Sequence, residues 1–359
     1  MAVDLKYLDI DTESLSFMNE DDQDPLCCCE YYNIKRQRSH ILSFFCECED
    51  LDETVDNWIK GNPQKINKIV DIIDTFADRC RVPWLGGAKA FDFGCVFPPI
   101  LLTNSAIIAS WHYVLTAMIF LALPPIIIFC YMSSVKLKIK TRLFLSLNIT
   151  STIGCYAIYF YYVSLSQNFL INLAVAFGAI VTVILFKQCL SKDKKYHVFH
   201  YEDKESVPYR GKYCRICKLY VAKYDHHCVW MNTCIGQHNH KTFLSLLCVY
   251  LVSIVFGCFV QLSFVCQWPT LLTLDCSDVY NSDRLGLVFV CCCYALVIGV
   301  FLVILLMQQV VLISFNVTTF EWRLMNHEES VFTSLMSSPY HKGIFQNWIA
   351  FIKMNAEDQ

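Results

Sequence analysis

Four adjacent residues, Asp225-His226-His227-Cys228, combine side chains that can activate a sulfur nucleophile with side chains that can bind a metal ion. A thiol with a pKa of about 8.5 is mostly protonated at neutral pH, so an imidazole that takes its proton makes a better nucleophile. We expect Cys228 to be the nucleophile and His226 its base, with Asp225 orienting the imidazole. In a strict strand Asp225 would face away from His226, so this assignment requires a turn at Asp225.

Spaced cysteines around this tetrad predict a metal site. A Cys-x2-Cys pair resembles half of a zinc knuckle, and a tetrahedral structural Zn²⁺ needs two further Cys or His ligands. The predicted ligands are Cys214, Cys217, His227 and Cys234. Successive side chains of an extended segment point to opposite faces, so His227 can turn to the metal while His226 and Cys228 share the other face.

Long apolar runs indicate that the tetrad belongs to a membrane protein. The 359-residue chain is 55% hydrophobic and only 17% charged. A helix needs about 20 mostly apolar residues to span a bilayer, and four runs meet this length: 143–163, 169–186, 243–267 and 287–315. A fifth run, 95–132, is long enough for two passes.

Basic residues beside these runs predict the topology, because Lys and Arg near membrane ends stay on the cytoplasmic side. Residues 136–142 and 187–195 are rich in Lys and Arg, whereas the loop 164–168 has no charge. The tetrad is therefore expected to be cytosolic and the loop 268–286 lumenal. A hairpin in the run 95–132, turning near Ser110-Trp111-His112, would keep the N-terminus cytosolic, whereas one pass would place it in the lumen. We favour the hairpin because its N-terminal flank is basic and because prolines can begin a helix.

The predicted fold class is an all-α integral membrane protein with about six transmembrane helices and a small cytosolic zinc-bound domain between passes four and five. The expected divisions are a cytosolic cysteine-rich region (1–94), helices one to four (95–187), the catalytic domain (188–242), helices five and six with a lumenal loop (243–315), and a cytosolic C-terminal region (316–359). Weak helical patterning covers 55–76. Residues 1–25 are acidic and lack an apolar core, so we expect no cleavable signal peptide.

The 21 cysteines mostly face a reducing cytosol or lipid, where thiols and metal ligands are more common than disulfides. Cys266 and Cys276 flank or lie in the predicted lumenal loop, and the sequence leaves open whether they pair. Cys27-Cys28-Cys29 are followed by His40, Cys46 and Cys48, which leaves a second metal site open although the spacings match no zinc pattern. The alternatives are plain thiols or acceptors of lipid.

The tetrad also fits a structural zinc site with no chemistry, in which His226 and Cys228 are bystanders. The predicted place of the tetrad between membrane hairpins favours the catalytic interpretation. There, the pair of His226 and Cys228 can meet a lipid chain on one side and a soluble coenzyme on the other. A transporter is disfavoured, because no charged residue lies in the middle of the spanning runs.

Further motifs accompany the tetrad at fixed positions: Trp230, Cys234, Gly236, Asn239, Phe243, Thr318-Thr319-Phe320-Glu321 and Asn347, besides the N-terminal stretches 25–30, 50–53 and 82–89. In this arrangement the chain resembles the DHHC-type protein S-acyltransferases, also called palmitoyltransferases, over most of its length. The resemblance implies that Cys228 takes an acyl group from a long-chain acyl-CoA such as palmitoyl-CoA and passes it to a protein cysteine.

The same resemblance implies roles for other residues. Thr319 is expected near the catalytic aspartate, and Thr318, Glu321 and Asn347 are expected to support the cytosolic domain. The acyl chain should lie among the membrane helices, and the CoA phosphates should meet basic residues at the rim. The candidates are Arg210, Lys212, Arg215, Lys218 and Lys223. Such a basic patch is equally typical of binding to anionic lipid.

One departure from the family pattern concerns a second zinc ion, which the family usually carries. The ligand positions, where Cys, Cys, His and Cys normally stand, hold His200, Asp203, Tyr213 and Tyr220. Tyrosines are poor zinc ligands, so we expect one structural ion instead of two. We expect Tyr213 and Tyr220 to replace the missing metal by packing as aromatic rings.

The expected function is protein S-palmitoylation, and the alternative is a weakly active or inactive scaffold of the same fold. The expected partners are palmitoyl-CoA, the lipid bilayer, and cytosolic or membrane proteins with membrane-proximal cysteines; we expect no nucleic-acid partner. The expected compartment is the Golgi or the endoplasmic reticulum, with the plasma membrane as a further option.

Overall fold

The computed structural model describes residues 26–33, 37–44, 78–137, 141–190, 209–270, 273–325 and 331–353. The helical patterning at 55–76 and the positions of His200 and Asp203 lie outside these ranges. Contacts divide the chain into two compact units, Met1–Phe93 and Gly94–Gln359.

The first unit contains two short antiparallel hairpins. Its strands are β1 (Glu30–Tyr32), β2 (Arg38–His40), β3 (Arg81–Val82) and β4 (Lys89–Ala90). The Tyr31 ring is buried between the hairpins, and the Arg81 guanidinium lies 4.0 Å from its centre. The Ala88 amide donates to the Glu30 carbonyl at 2.7 Å. These contacts hold together strands that are too short to be stable alone.

The second unit is built on a bundle of apolar helices. They are α1 (Phe93–Ala109), α2 (Tyr113–Leu137), α3 (Leu143–Ile158), α4 (Phe169–Leu190), α5 (His240–Val265) and α6 (Asp283–Ser314). Among the described residues, five helices are long and apolar enough to cross a membrane, and α1 is a shorter apolar helix. The span that begins with α3 continues through a π-helical turn, Tyr159–Val163, as far as Ser166.

Helix α1 reaches from one end of this bundle to the other. The Ser146 hydroxyl, near the start of α3, donates to the Cys95 carbonyl at 2.8 Å. Beyond the other end of α1, the Ser110 carbonyl lies so close to Gly286, near the start of α6, that a Cβ added there would be 2.3 Å from its oxygen. The helix breaks at Ser110 and α2 begins at Tyr113, so the chain turns where the hairpin in the run 95–132 is predicted. Helix α1 is shorter than the five candidate spans, and its passage through the membrane stays a prediction.

Helices α4, α5 and α6 form the centre of the bundle. Small residues allow these helices to approach closely, as in other membrane bundles. A Cβ added at Gly178 in α4 would lie 2.8 Å from the Ser253 hydroxyl in α5, and one at Gly299 in α6 would lie 3.3 Å from Ile254.

A disulfide joins Cys266 to Cys276 in the connection between α5 and α6. It flanks a hairpin of β9 (Gln267–Thr270) and β10 (Thr273–Asp275). The pairing that the sequence left open is therefore present. None of the other cysteines in the described ranges forms a disulfide.

Four short strands and three short helices lie at the opposite end of the bundle. The strands are β5 (Lys212–Cys214), β6 (Leu219–Val221), β7 (His226–Cys228) and β8 (Thr233–Ile235). The helices are α7 (Thr319–Leu324), α8 (Val331–Met336) and α9 (Ile344–Lys353). The buried Asn347 side chain attaches α9 to the end of α6 by donating to the Ser314 carbonyl at 2.8 Å.

The contact between Ser110 and Gly286 allows a test of the bundle. Gly286→Ala places a methyl group against a backbone carbonyl, and we expect it to lower the free energy of unfolding by about 1–3 kcal/mol. Gly154→Ala is the control, because no atom lies within 4 Å of its added Cβ. Thermal unfolding of both variants in detergent measures the effect, and equal midpoints would contradict the packing of the α1–α2 turn against α6.

Candidate active site

Two hairpins carry the predicted chemistry. Strand β5 pairs with β6 and β7 pairs with β8, with three residues in each strand. The turns use left-handed backbone at Lys218 (φ 54°) and Asn232 (φ 50°). Hairpins of this length are not stable alone, so the site depends on the groups that join them.

The four predicted metal ligands lie together. His227 and Cys234 are directly opposite each other on β7 and β8, and the β5–β6 hairpin supplies Cys214 and Cys217. The Nδ1 atom of His227 is 3.8, 3.3 and 3.6 Å from the Sγ atoms of Cys214, Cys217 and Cys234. A tetrahedral zinc ion, with Zn–S of about 2.3 Å and Zn–N of about 2.1 Å, would separate S from N by about 3.5 Å. One ring nitrogen facing three sulfurs is a metal-binding arrangement, since it cannot hydrogen-bond to all three.

The two tyrosines at the positions of the missing zinc site pack against each other. Tyr213 lies opposite Tyr220 on β5 and β6, and their ring centres are 5.1 Å apart. The predicted aromatic packing is confirmed. Within the described ranges, the group around His227 is the one set of Cys, His and acidic residues that could hold a metal ion.

The thiol of Cys228 lies away from the metal ligands. It hydrogen-bonds to the imidazole of His226, and it belongs to a buried apolar cluster. The other buried members of this cluster are Cys189, Met231, Ile235, Phe243, Leu246 and Leu247. Leucine and phenylalanine side chains from α4 and α6 pack around it. The thiol thus faces the interior of the helix bundle.

Asp225 lies just before β7, two positions after the turn at Ala222 and Lys223, so the turn expected at Asp225 itself is not present. Its carboxylate is 1% exposed. One oxygen accepts a hydrogen bond from His226 Nδ1 at 2.6 Å and from the Thr319 hydroxyl at 2.8 Å, and the other accepts from the Thr319 amide at 2.7 Å. A buried carboxylate needs such partners, because desolvation otherwise disfavours its charge.

The Thr-Thr-x-Glu motif divides into two roles. The Thr318 hydroxyl accepts from the Glu321 amide at 3.2 Å, and the Glu321 carboxylate accepts from the Thr318 amide at 2.9 Å. This capping box fixes the start of α7. The next residue, Thr319, is thereby held with both its amide and its hydroxyl on Asp225.

These contacts determine the direction in which the pKa values of His226 and Asp225 shift. Burial disfavours charge on His226, but hydrogen bonds to Asp225 and Cys228 outweigh it and raise the pKa of His226 to about 9. Burial likewise opposes ionisation of Asp225, but the hydrogen bond from His226 and nearby charge lower the pKa of this carboxyl. The surroundings therefore favour a protonated imidazole beside an ionised carboxylate.

Two buried residues of the network were not predicted. Gln309, 1% exposed in α6, donates to the Thr319 hydroxyl at 3.3 Å and reaches Asp225 at 3.5 Å. His240, at the start of α5, donates from Nε2 to the Gln309 carbonyl oxygen at 2.8 Å. An amide within a spanning run is the signal that could have identified Gln309, because polar groups in membrane helices are costly unless they are bonded.

The five predicted CoA-binding residues differ in their surroundings. Arg210 makes four hydrogen bonds to Glu321 and Asn316, and its guanidinium lies 4.0 Å from the centre of the Tyr340 ring. These donors bond within the protein, and a role for Arg210 in binding CoA stays a prediction.

Of the other four, Lys212 has its Nζ 3.5 Å from the Phe320 ring centre, and burial lowers the pKa of Lys223 to about 8. Arg215 and Lys218 are exposed in the β5–β6 turn.

A cavity of about 70 Å³ lies between helices α3, α4, α5 and α6. Its lining includes Tyr156, Gly178, Ser253, Gln261 and Tyr294. The membrane helices form this cavity, and together with the β7–β8 hairpin they form the apolar cluster around Cys228.

Comparison with known proteins places this geometry in a family. The family described as DHHC palmitoyltransferase matches residues 193–326. The chain is 30% identical to palmitoyltransferase ZDHHC23-B of Danio rerio, over 94% of this chain and 95% of that protein. It is 28% identical to palmitoyltransferase ZDHHC23 of Mus musculus and of Homo sapiens, over 92% and 83% of this chain and 94% and 89% of theirs. The chain therefore belongs to the DHHC palmitoyltransferase family, as a multi-pass membrane enzyme that transfers palmitoyl groups to proteins.

Proposed function

We propose that Cys228 carries the acyl group, that a long-chain acyl-CoA donates it, and that cysteine thiols of membrane-associated proteins accept it. The observation that carries this proposal is the position of the Cys228 thiol, which contacts His226 on one side and the apolar interior of the bundle on the other. A thiol among apolar side chains can meet a fatty acyl chain that stays in the membrane.

In the first step, His226 already holds the proton of Cys228 as an imidazolium, and the sulfur attacks the thioester carbonyl of the acyl-CoA. The bond between this carbon and the CoA sulfur breaks, and the proton passes from His226 to the leaving sulfur. In the second step, the acceptor thiol gives its proton to His226 and attacks the acyl-Cys228 carbonyl. Cys228 then leaves and recovers the proton.

Asp225 and its partners position the base. With His226 Nδ1 directed to the carboxylate, the other ring nitrogen is free to act on the thiol, as in hydrolytic triads. Thr319 and Gln309 hold the carboxylate, so we assign them a positioning role.

Cys214, Cys217, His227 and Cys234 would hold Zn²⁺, the ion that suits three thiolates and one imidazole. When bound, the ion supplies a structural crosslink between the two hairpins. It fixes His227, and with it the register of the adjacent His226 and Cys228.

We assign the β5–β6 and β7–β8 hairpins and the C-terminal helices to the cytosolic face of the membrane, and the Cys266–Cys276 loop to its lumenal face. The membrane is that of the Golgi or the endoplasmic reticulum. Basic residues beside α3 and α4 support this orientation, as does a disulfide, which persists in oxidising compartments. The exposure of Arg215 and Lys218 supports a role for them in binding the CoA phosphates.

The first prediction concerns the nucleophile. Cys228→Ser should reduce the hydroxylamine-sensitive adduct with labelled palmitoyl-CoA by about 1,000-fold or more, because a serine hydroxyl is a far weaker nucleophile without a matched site. Zinc content and thermal stability should stay unchanged. Cys248→Ser, which removes an exposed thiol on α5, is the control. Equal labelling of wild type and Cys228→Ser would contradict the assignment of Cys228 as nucleophile. It would favour the alternative, a weakly active or inactive scaffold of the same fold.

The second prediction concerns the metal. Elemental analysis of purified protein should give one zinc per chain, and Cys214→Ala or Cys234→Ala should lose it and lower thermal stability, because structural zinc contributes folding energy. Tyr213→Phe should retain the ion. Wild-type zinc content in Cys214→Ala would refute the ligand assignment, and two ions per chain would refute the loss of the second site.

The third prediction separates the two threonines. Thr319→Val removes a hydrogen bond to a buried carboxylate, so acyl-enzyme formation should slow by about 10-fold or more with little change in the Km for acyl-CoA. Thr318→Val removes a helix cap, so it should mainly lower the free energy of unfolding, by about 1 kcal/mol. Single-turnover labelling and thermal unfolding measure the two effects. The same profile in both variants would contradict the division of roles.

A further inference from the structure

Three adjacent thiols lie in the first unit and have no part in the mechanism above. Cys27, Cys28 and Cys29 form a turn that is closed by two hydrogen bonds, from the Glu30 amide to the Cys27 carbonyl at 3.0 Å and from the Cys27 amide to the Glu30 carboxylate at 2.9 Å. Cys27 and Cys28 are exposed. Their sulfurs are 4.0 Å apart and form no disulfide. The turn therefore presents reduced thiols on an anchored backbone.

An exposed apolar loop is bound to this turn. The Trp84 amide donates to the Cys28 carbonyl at 3.0 Å. Leu85 is 93% exposed, Trp84 is 52% exposed, and the Lys89 ammonium lies 4.6 Å from the centre of the tryptophan ring. Leucine and tryptophan in water are unfavourable, whereas tryptophan beside a cation is typical of a membrane interface. The loop has the composition of a bilayer anchor.

A short segment of the chain joins this loop to the first apolar helix. Leu85 is eight positions before Phe93, where α1 begins. Eight residues span at most about 28 Å even when fully extended. The tether between Leu85 and α1 is therefore short.

We propose that Cys27, Cys28 and Cys29 are S-acylation acceptors for this enzyme's own acyl-Cys228, and that the acylated turn and the Trp84–Leu85 loop together anchor the first unit to the cytosolic leaflet. This inference rests on the proposed function and on the proposed cytosolic N-terminus. Cys27 and Cys28 are exposed and Cys29 is half-buried. The turn precedes the first membrane helix in the chain and lies beside an exposed apolar loop, and the proposed acceptor cysteines on other proteins are likewise membrane-proximal.

The transfer balances without any further reagent. An acceptor sulfur in the turn attacks the acyl-Cys228 carbonyl, a new thioester bond forms, and the bond from the carbonyl carbon to Cys228 breaks. The acceptor proton passes through His226 to Cys228. Hydrogen bonds with the Cys29 and Cys27 thiols raise the pKa of Cys28 to about 11, so transfer to this thiol requires a base. Two acyl chains on one segment give stable anchoring where a single chain gives marginal binding.

The test uses the full-length protein, cleared of thioesters with hydroxylamine, reconstituted in liposomes and incubated with palmitoyl-CoA. Mass spectrometry then counts the thioester-linked acyl groups on each cysteine. The variants are the triple change Cys27→Ser, Cys28→Ser, Cys29→Ser; the double change Trp84→Ser, Leu85→Ser; and Cys228→Ser. Cys80→Ser is the matched control, a cysteine of the same unit outside the turn.

Wild type and Cys80→Ser should carry acyl groups on the turn as well as on Cys228. The triple variant should keep only the Cys228 adduct, and the Trp84→Ser, Leu85→Ser variant should lose at least about half of the acylation at the turn. Cys228→Ser should label nowhere. An unmodified turn in wild-type protein that still forms the Cys228 adduct would overturn the inference alone, and so would labelling of the turn in Cys228→Ser. Wild-type protein that forms no Cys228 adduct would instead overturn the proposed function.

Discussion

A carboxylate that is removed from water needs hydrogen-bond donors or positive charge around it. At Asp225 these partners come from parts of the chain that are far apart in sequence. The partners come from β7, from α6 and from the start of α7, and His240 of α5 bonds to one of them. Each partner is also fixed by its own contacts, such as the capping box that orients Thr319. The base next to the nucleophile is thus held by the packing of the whole domain against the membrane helices.

The sequence predicted those features that depend on local periodicity and composition. Alternation along an extended segment separated His227 from His226 and Cys228, and the strand β7 has this alternation. Hydropathy predicted the five candidate spans and the break that divides the run 95–132 between helices α1 and α2. Asn104 in the first of them is tolerated because its amide donates to the Ile100 carbonyl at 2.9 Å within the helix.

Contacts between residues far apart in sequence could not be predicted in the same way. In the sequence, Gln309 is a neutral residue within a spanning run. In the structure it contacts Asp225, which is 84 positions earlier in the chain. Arg210 looks like a free cation for a phosphate until the fold brings Glu321 to it, 111 positions away. Neither spacing nor composition records which charge will be paired inside the protein.

The C-terminal helix has a consequence for the order in which the enzyme matures. The Phe351 ring packs edge-on against His240, with ring centres 5.2 Å apart, and the Asn347 amide bonds to the end of α6. During synthesis the ribosome releases Cys228 more than a hundred residues before Phe351. A growing chain therefore holds its reactive sulfur in an unfinished pocket, and the pocket is complete only after α6 has been inserted and Phe351 has been synthesised.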